Sequence, residues 1–262
     1  MNFRRKFMSE SVFNNFEDFL KTKAVYKVDS FQDDENIKGI INEGKVEEHL
    51  KLISEFHNKT MGFSGFLNKR INNYTGKSVE EFKVYIKRLR RDIKRIQEET
   101  VRTEVEECIL EHGEKYLERA ERCISQIYEW NYYDLIDRSM KRTEICLGDS
   151  YHDNIRKDIN GIEILDMDHL GYNMIENDCV FYFTKLRKRG ADLDWRKLTS
   201  KFCEYEGLGS SSEAFILSMV SYPHEFMRSV NRYKYRKKEW TEEKYKKSII
   251  AAAKSDGDSL ID

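Results

Sequence analysis

Proline is almost missing from this chain: Pro223 is the only one, and glycine occurs just 13 times in 262 residues. Little therefore interrupts helices, and with 35% charged residues the composition predicts mostly helical structure. Long apolar runs are also missing. The longest, AFILSMV at 214–220, is too short to cross a bilayer. Arg4, Arg5 and Lys6 precede MSESVFNNFEDF, which is too polar for the apolar region of a secretory signal, so a soluble protein made in the cytoplasm is expected. The five cysteines, at 108, 123, 146, 179 and 203, are odd in number and form no CxxC. That excludes a disulfide framework and a zinc knuckle and leaves reduced, buried thiols. Charge of one sign is not in excess either: 46 basic residues face 47 acidic ones, which argues against a globally basic nucleic-acid binder but not against a local patch. No internal repeat or low-complexity tract stands out.

What is present is helical periodicity. Apolar residues at Val46, Leu50, Ile53 and Phe56 predict a helix that ends near the glycines of TMGFSGF. Phe82, Ile86, Leu89, Ile93 and Ile96 recur at steps of four and three and form one narrow stripe. A second long helix is predicted from Glu104 to Trp130, with Val105, Ile109, His112, Tyr116, Ala120, Ile124 and Ile127 on one side, antiparallel to the first. The first 45 residues are less regular: a short helix around Val12 to Leu20, a strand in AVYKVDSF, then the acidic QDDEN. Further on, Asn160-Gly161 predicts a tight hairpin turn of the type needing positive φ at both central residues. Helical spacing returns through Ile175 to Leu186, through Trp195 to Tyr205, and from Ser212 to about Lys254 with a break at Pro223. The terminal SDGDSLID is expected to fray.

Two acidic clusters carry the candidate chemistry: CLGDSYHDN at 146–154, and LDMD beyond the hairpin. Phosphoryl transfer from a nucleotide needs a carboxylate near the acceptor hydroxyl and oxygen ligands for magnesium. Asp149 suits the first task, and Asn154 and Asp166 the second. The bland reading of the same residues is a set of loop acids and a turn-forming Asn that satisfy nearby backbone groups. His57, on an amphipathic helix, reads as a packed, hydrogen-bonded residue, and His152 as a flanking member of the loop. In KRLRRDIKR at 87–95, Leu89 and Ile93 belong to the apolar stripe, so the basic residues read as its exposed sides. In NRYKYRKKEW, interleaved tyrosines and basic residues could stack on nucleobases, but the stretch reads rather as part of a C-terminal helix that a family resemblance, given below, implies.

LGDSYHDN resembles the HGDxxxxN catalytic loop of the aminoglycoside phosphotransferase and choline kinase group, and ILDMD resembles its metal-binding strand end. With Asp178 twelve residues after Asp166, EFHNKTMGF, and YPHEFMRSVNRYKYRKKEW, the chain also resembles the spore coat proteins of the CotS family, from about Lys45 onward. The resemblance implies a kinase-like fold, with Asp149 as catalytic aspartate, Asn154 and Asp166 as metal ligands, Asp168 as the second acid of the DxD pattern, and Asp178 bracing the catalytic loop. It implies Mg2+ and ATP as cofactors and other spore coat proteins as partners, in the coat, with neither nucleic acid nor membrane expected. Two departures stand out. Leu147 occupies the place of the family's histidine, and Gly39 and Gly44 make no glycine-rich loop, leaving Lys27 or Lys38 as guesses for the nucleotide lysine.

The expected fold is mostly α within an α+β class: residues 1–45 as the remnant of a nucleotide-binding lobe, and 46–262 as a kinase-like, aminoglycoside phosphotransferase-like helical C-terminal lobe. The leading expectation is a coat-associated assembly component with a degenerate site, a pseudokinase. The alternative is a Mg-ATP-dependent phosphotransferase acting on a small hydroxylated molecule. A third reading is an anion-binding module using the basic helix.

Overall fold

The computed structural model describes residues 12–31, 41–68, 70–236 and 238–261. The acidic QDDEN, Lys38 and Gly39 lie outside the described residues. The chain opens with strand β1 (Val12–Phe13) and helix α1 (Phe16–Thr22). The helix expected from Val12 starts later because Asn15 caps it, its side chain accepting from Asp18 N at 3.0 Å. Strand β2 (Val25–Lys27) follows where AVYKVDSF predicted it.

Helix α2 (Glu43–Thr60) buries Val46, His49, Leu50, Ile53, Phe56 and His57 along one face, and its C-terminal turn leads to Gly62 at φ 74°. Strands β3 (Phe66–Leu67) and β4 (Asn72–Asn73) are short. Helices α3 (Lys77–Glu98) and α4 (Glu104–Glu129) form the expected antiparallel pair. Contacts between Arg90 and Glu121 and between Arg95 and Glu106 run in opposite order along the two helices. The pair is tight at Gly113, where an added Cβ would lie 3.0 Å from Ile93. The α4 seam differs from the expected stripe: His112 and Ile124 are only half-buried, whereas Cys108, Gly113 and Cys123 are buried. The reason is that α4 is covered from several sides, so its buried face is broad rather than one stripe.

Helix α5 (Tyr132–Arg142), which the periodicity reading passed over, leads into strand β5 (Ile145–Cys146). A hairpin of β6 (Ile155–Asp158) and β7 (Gly161–Ile164) follows, then β8 (Gly171–Tyr172). The hairpin turn is displaced from the prediction. Asp158 pairs with Gly161, so Ile159 and Asn160 are its central residues and neither has positive φ. Asp158 shapes the turn by accepting from Asn160 N at 3.1 Å. Gly161, at φ 149°, is needed for another reason: a Cβ there would lie 2.1 Å from Ala24 O, where β2 lies parallel against β7. Among the described residues the sheets are β1-β3, β2-β7-β6 and β4-β8-β5.

The remaining helices are α6 (Glu176–Lys188), α7 (Trp195–Glu206), α8 (Ser210–Ser221), α9 (His224–Lys234) and α10 (Glu242–Ser255). The expected run from Ser212 to Lys254 thus breaks twice, at Pro223 and again before the Thr241 N-cap. The tail after Ser255 is not frayed through residue 261. Asp256 is buried and accepts from Glu225 N and Phe226 N at 2.9 and 2.8 Å, capping α9. Arg119, itself buried, donates to the carbonyls of Ser221, Asp256 and Gly257. Nothing local in SDGDSLID shows this hold: Glu225 and Phe226 lie 31 and 30 positions from Asp256, and Arg119 lies 137 positions from it.

None of the five cysteines forms a disulfide, and all are buried. Burial divides into a large helical core and a smaller one formed by α1, β2, the hairpin and Phe56 of α2. Residues 147–154 cross the seam between them: Leu147 belongs to the smaller core and Tyr151 to the larger.

Candidate active site

Strand β5 delivers the chain into this loop, and the carboxylate of Asp178 on α6 holds its first two residues. Leu147 N and Gly148 N donate to Asp178 at 2.8 and 2.9 Å, and Ser150 Oγ donates to the Asp178 carbonyl at 2.7 Å. Gly148 stands at φ 81°, and a Cβ there would lie 2.4 Å from His169 O, so the turn into Asp149 admits only glycine. Leu147, where the phosphotransferase pattern has histidine, is buried at 1% exposure among apolar neighbours. Packing therefore anchors the position that a polar side chain holds in the resemblance.

Two histidines of α2 supply polar support instead. His49 Nε2 lies 2.7 Å from Ser150 O. His57 Nε2 lies 2.9 Å from Asp178 Oδ2, and its Nδ1 lies 2.7 Å from Glu206 Oε1 of α7, with all three side chains buried. Burial alone would push the His57 pKa down, but the charges of Glu206 and Asp178 outweigh it and raise it to about 10. His57 is thus an imidazolium donating from both ring nitrogens to a pair of carboxylates. His49 faces no such pair, and burial pushes it down to about 4. A second brace lies one layer away: Arg138 of α5 donates to Glu144, before β5, and to Glu176, at the start of α6, at 2.8–3.1 Å. The fork locks β5 to α6.

Asp149 is half-buried, and Lys185 Nζ sits 3.4 Å from its Oδ1. Asn154 is buried and uses both ends of its amide: Nδ2 donates to Asp149 O and Asp166 O at 2.8 and 2.9 Å, and Oδ1 accepts from Asp166 N at 2.7 Å. It ties the loop to the end of β7. Asp166 and Asp168 are exposed, and Asp166 Oδ1 accepts from Asp168 N at 2.8 Å. The structure brings the backbones of these residues together but does not gather their carboxylates into a cage. Among the described residues, the one close group of three His, Cys, Asp or Glu ligand atoms is His57, Cys146 and Asp178. That group does not fit a metal: the His57 nitrogens and Asp178 oxygens already serve hydrogen bonds, and the Cys146 thiol, pushed up by burial, faces Met174 O at 3.1 Å.

Beside Gly148 and Lys185 opens a cavity of about 440 Å3. Phe82 and Tyr222, stacked at 3.7 Å, form an apolar part of its wall, and Lys188, His224 and Arg228 a polar part.

His49, His57, Arg138 and Lys185 escaped the sequence reading as members of the site. A signal existed for some of them: His49 and His57 are eight residues apart, and Lys185 is seven beyond Asp178, spacings that return to one helix face. Nothing local marked Arg138.

Together the fold and the loop define a class, the kinase-like fold of the aminoglycoside phosphotransferases. The chain is similar in structure to an aminoglycoside phosphotransferase from Alicyclobacillus acidocaldarius, with a TM-score of 0.61 and 12% identity over 80% of this chain. The match spans 62% of that protein's length. No family model and no curated protein matches the sequence. No helix among the described residues is long and apolar enough to cross a membrane.

Proposed function

We propose that this chain is a kinase-like protein of the spore coat whose phosphotransfer centre keeps its frame but is degenerate, and that it acts in assembly with other coat proteins. The observation that carries the degenerate site is Asn154: its amide ties Asp149 to Asp166, and one of the two lone pairs on the oxygen that would meet a metal is taken by Asp166 N. The coat assignment rests on the CotS-like segments, EFHNKTMGF and YPHEFMRSVNRYKYRKKEW. Both segments serve the frame. The first carries His57, and the second contains all of α9, which Asp256 caps.

A second reading, a Mg-ATP-dependent phosphotransferase for a small hydroxylated molecule, is favoured by the half-exposed Asp149, whose neighbours Gly148 and Lys185 line the 440 Å3 cavity. The oxygen donors of Asp166 and Asp168 suit Mg2+ chemically, and bound Mg-ATP would supply the phosphoryl group and neutralise its charge. Lys27 is exposed on β2, and Gly44 lies within α2 rather than in a phosphate-covering loop.

Thermal unfolding with millimolar Mg-ATP separates the two. The assembly reading expects no shift in Tm, because a ligand stabilises only by binding the folded state. A rise of several degrees that Asp166→Ala abolishes overturns it. In a spore-forming host, a tagged chain is expected to fractionate with the coat, and its absence from that fraction overturns the coat assignment.

A further inference from the structure

The basic segment of α3 and the basic stretch around α9 are more than 130 residues apart in the chain, yet the fold lays them side by side. Between Phe82 and Gln97 there are seven Lys or Arg and one acid, Asp92; between Phe226 and Lys238 there are six Lys or Arg and no acid. In a chain of 46 bases and 47 acids, that is a marked segregation of charge.

The two rows interlock. Arg88 Nη1 donates to Asn231 Oδ1 at 3.1 Å, and its guanidinium lies 5.3 Å from the centre of the Tyr235 ring, which is 47% exposed. Lys234 touches Asp92, while burial and then the charges of Arg91 and Arg88 push its pKa down. At one end Arg228, on the rim of the 440 Å3 cavity, lies 4.0 Å from Glu225, and Glu81 accepts from Tyr85 OH at 2.7 Å. Lys87, Arg91 and Lys94 form an exposed row on α3 with no carboxylate partner among the described residues. Like charges held this close oppose folding, a cost that an acidic ligand would remove.

We infer that the α3–α9 face is a docking track for an acidic polypeptide segment. Charge complementarity selects the sign, and the guanidinium forks of Arg88 and Arg91 match carboxylates. Nucleic acid is disfavoured because base stacking needs free ring faces. Arg88 already covers one face of Tyr235, and Tyr85 is half-buried with its hydroxyl held by Glu81. From Tyr85 to Lys94 the helix rises about 14 Å, a span that about four extended residues cover. The track requires no nucleotide, so its test is independent of the phosphotransfer question.

The test is fluorescence anisotropy with a labelled short poly-glutamate peptide, and with oligothymidylate of equal charge, at physiological salt. The variants are Arg88→Glu with Arg91→Glu, and, as a control of equal net charge, Lys244→Glu with Lys247→Glu on α10. The inference expects saturable peptide binding, weakened at least about tenfold by the track variant, unchanged in the control, and falling steeply with salt. Should the double variant not fold, the exposed Arg91→Gln carries the test with an expected loss of about threefold. No peptide binding, equal loss in the control, or tighter binding of oligothymidylate overturns the inference. So does self-association of the chain that the track variant abolishes, because the occupant would then be a second copy.

Discussion

Replacing His57 by leucine removes the cation that sits between Asp178 and Glu206 and leaves two buried carboxylates facing each other across an apolar side chain. Breaking a buried ion pair by deleting one partner costs about 3 to 5 kcal/mol. At the entropy of unfolding of a chain this long, that lowers Tm by roughly 5 to 9 °C near neutral pH. The pH dependence identifies the cause. His57 is raised to about 10 in the folded chain from 6.5, so its contribution is fully present below pH 6.5 and is lost as pH rises towards 10. His49 works in the opposite sense. Held down to about 4, it costs stability as pH falls below 6.5. The wild-type profile should therefore peak between these two windows, and the His57→Leu profile should lose the alkaline slope. Calorimetric melts from pH 5 to pH 10 read both quantities. A variant that loses under about 1 kcal/mol, or keeps the wild-type alkaline slope, would refute the charged-triad reasoning.

Other substitutions test the frame separately. Gly148→Ala must place a Cβ 2.4 Å from His169 O at φ 81°, and urea titration should show a loss of about 3 kcal/mol or more. Leu147→Ala empties a buried position in the smaller core and should cost about 2 to 4 kcal/mol in the same assay. Arg119→Met releases the carbonyls of Ser221, Asp256 and Gly257, so limited proteolysis should cut after Ser255 in the variant while the wild type resists.

The helical class and the long antiparallel pair were legible because Phe82 to Ile96 and Val105 to Ile127 keep one period over many turns. The site was legible in its backbone but not in its side-chain roles. The spacing of Asp149, Asn154, Asp166 and Asp178 marks which residues the fold brings near each other, yet nothing local shows that the Asn154 amide turns inward. His57 read as a packed, hydrogen-bonded residue, and it is one, but its partners lie 121 and 149 positions away. Remote partners likewise hid the held C-terminal tail, and Arg138 reaches 38 positions on to Glu176. The turn at Asn160-Gly161 misled for a related reason: Gly161 is demanded by β2, a strand remote in sequence, rather than by the hairpin itself.

Calorimetric titration of Mg-ATP into the chain probes the proposed degeneracy of the centre most directly. With the Asn154 amide turned onto the backbones of Asp149 and Asp166, the account predicts no saturable heat up to millimolar nucleotide. Saturable binding that Asp166→Ala eliminates, accompanied by phosphate transfer to a hydroxylated acceptor, would contradict it.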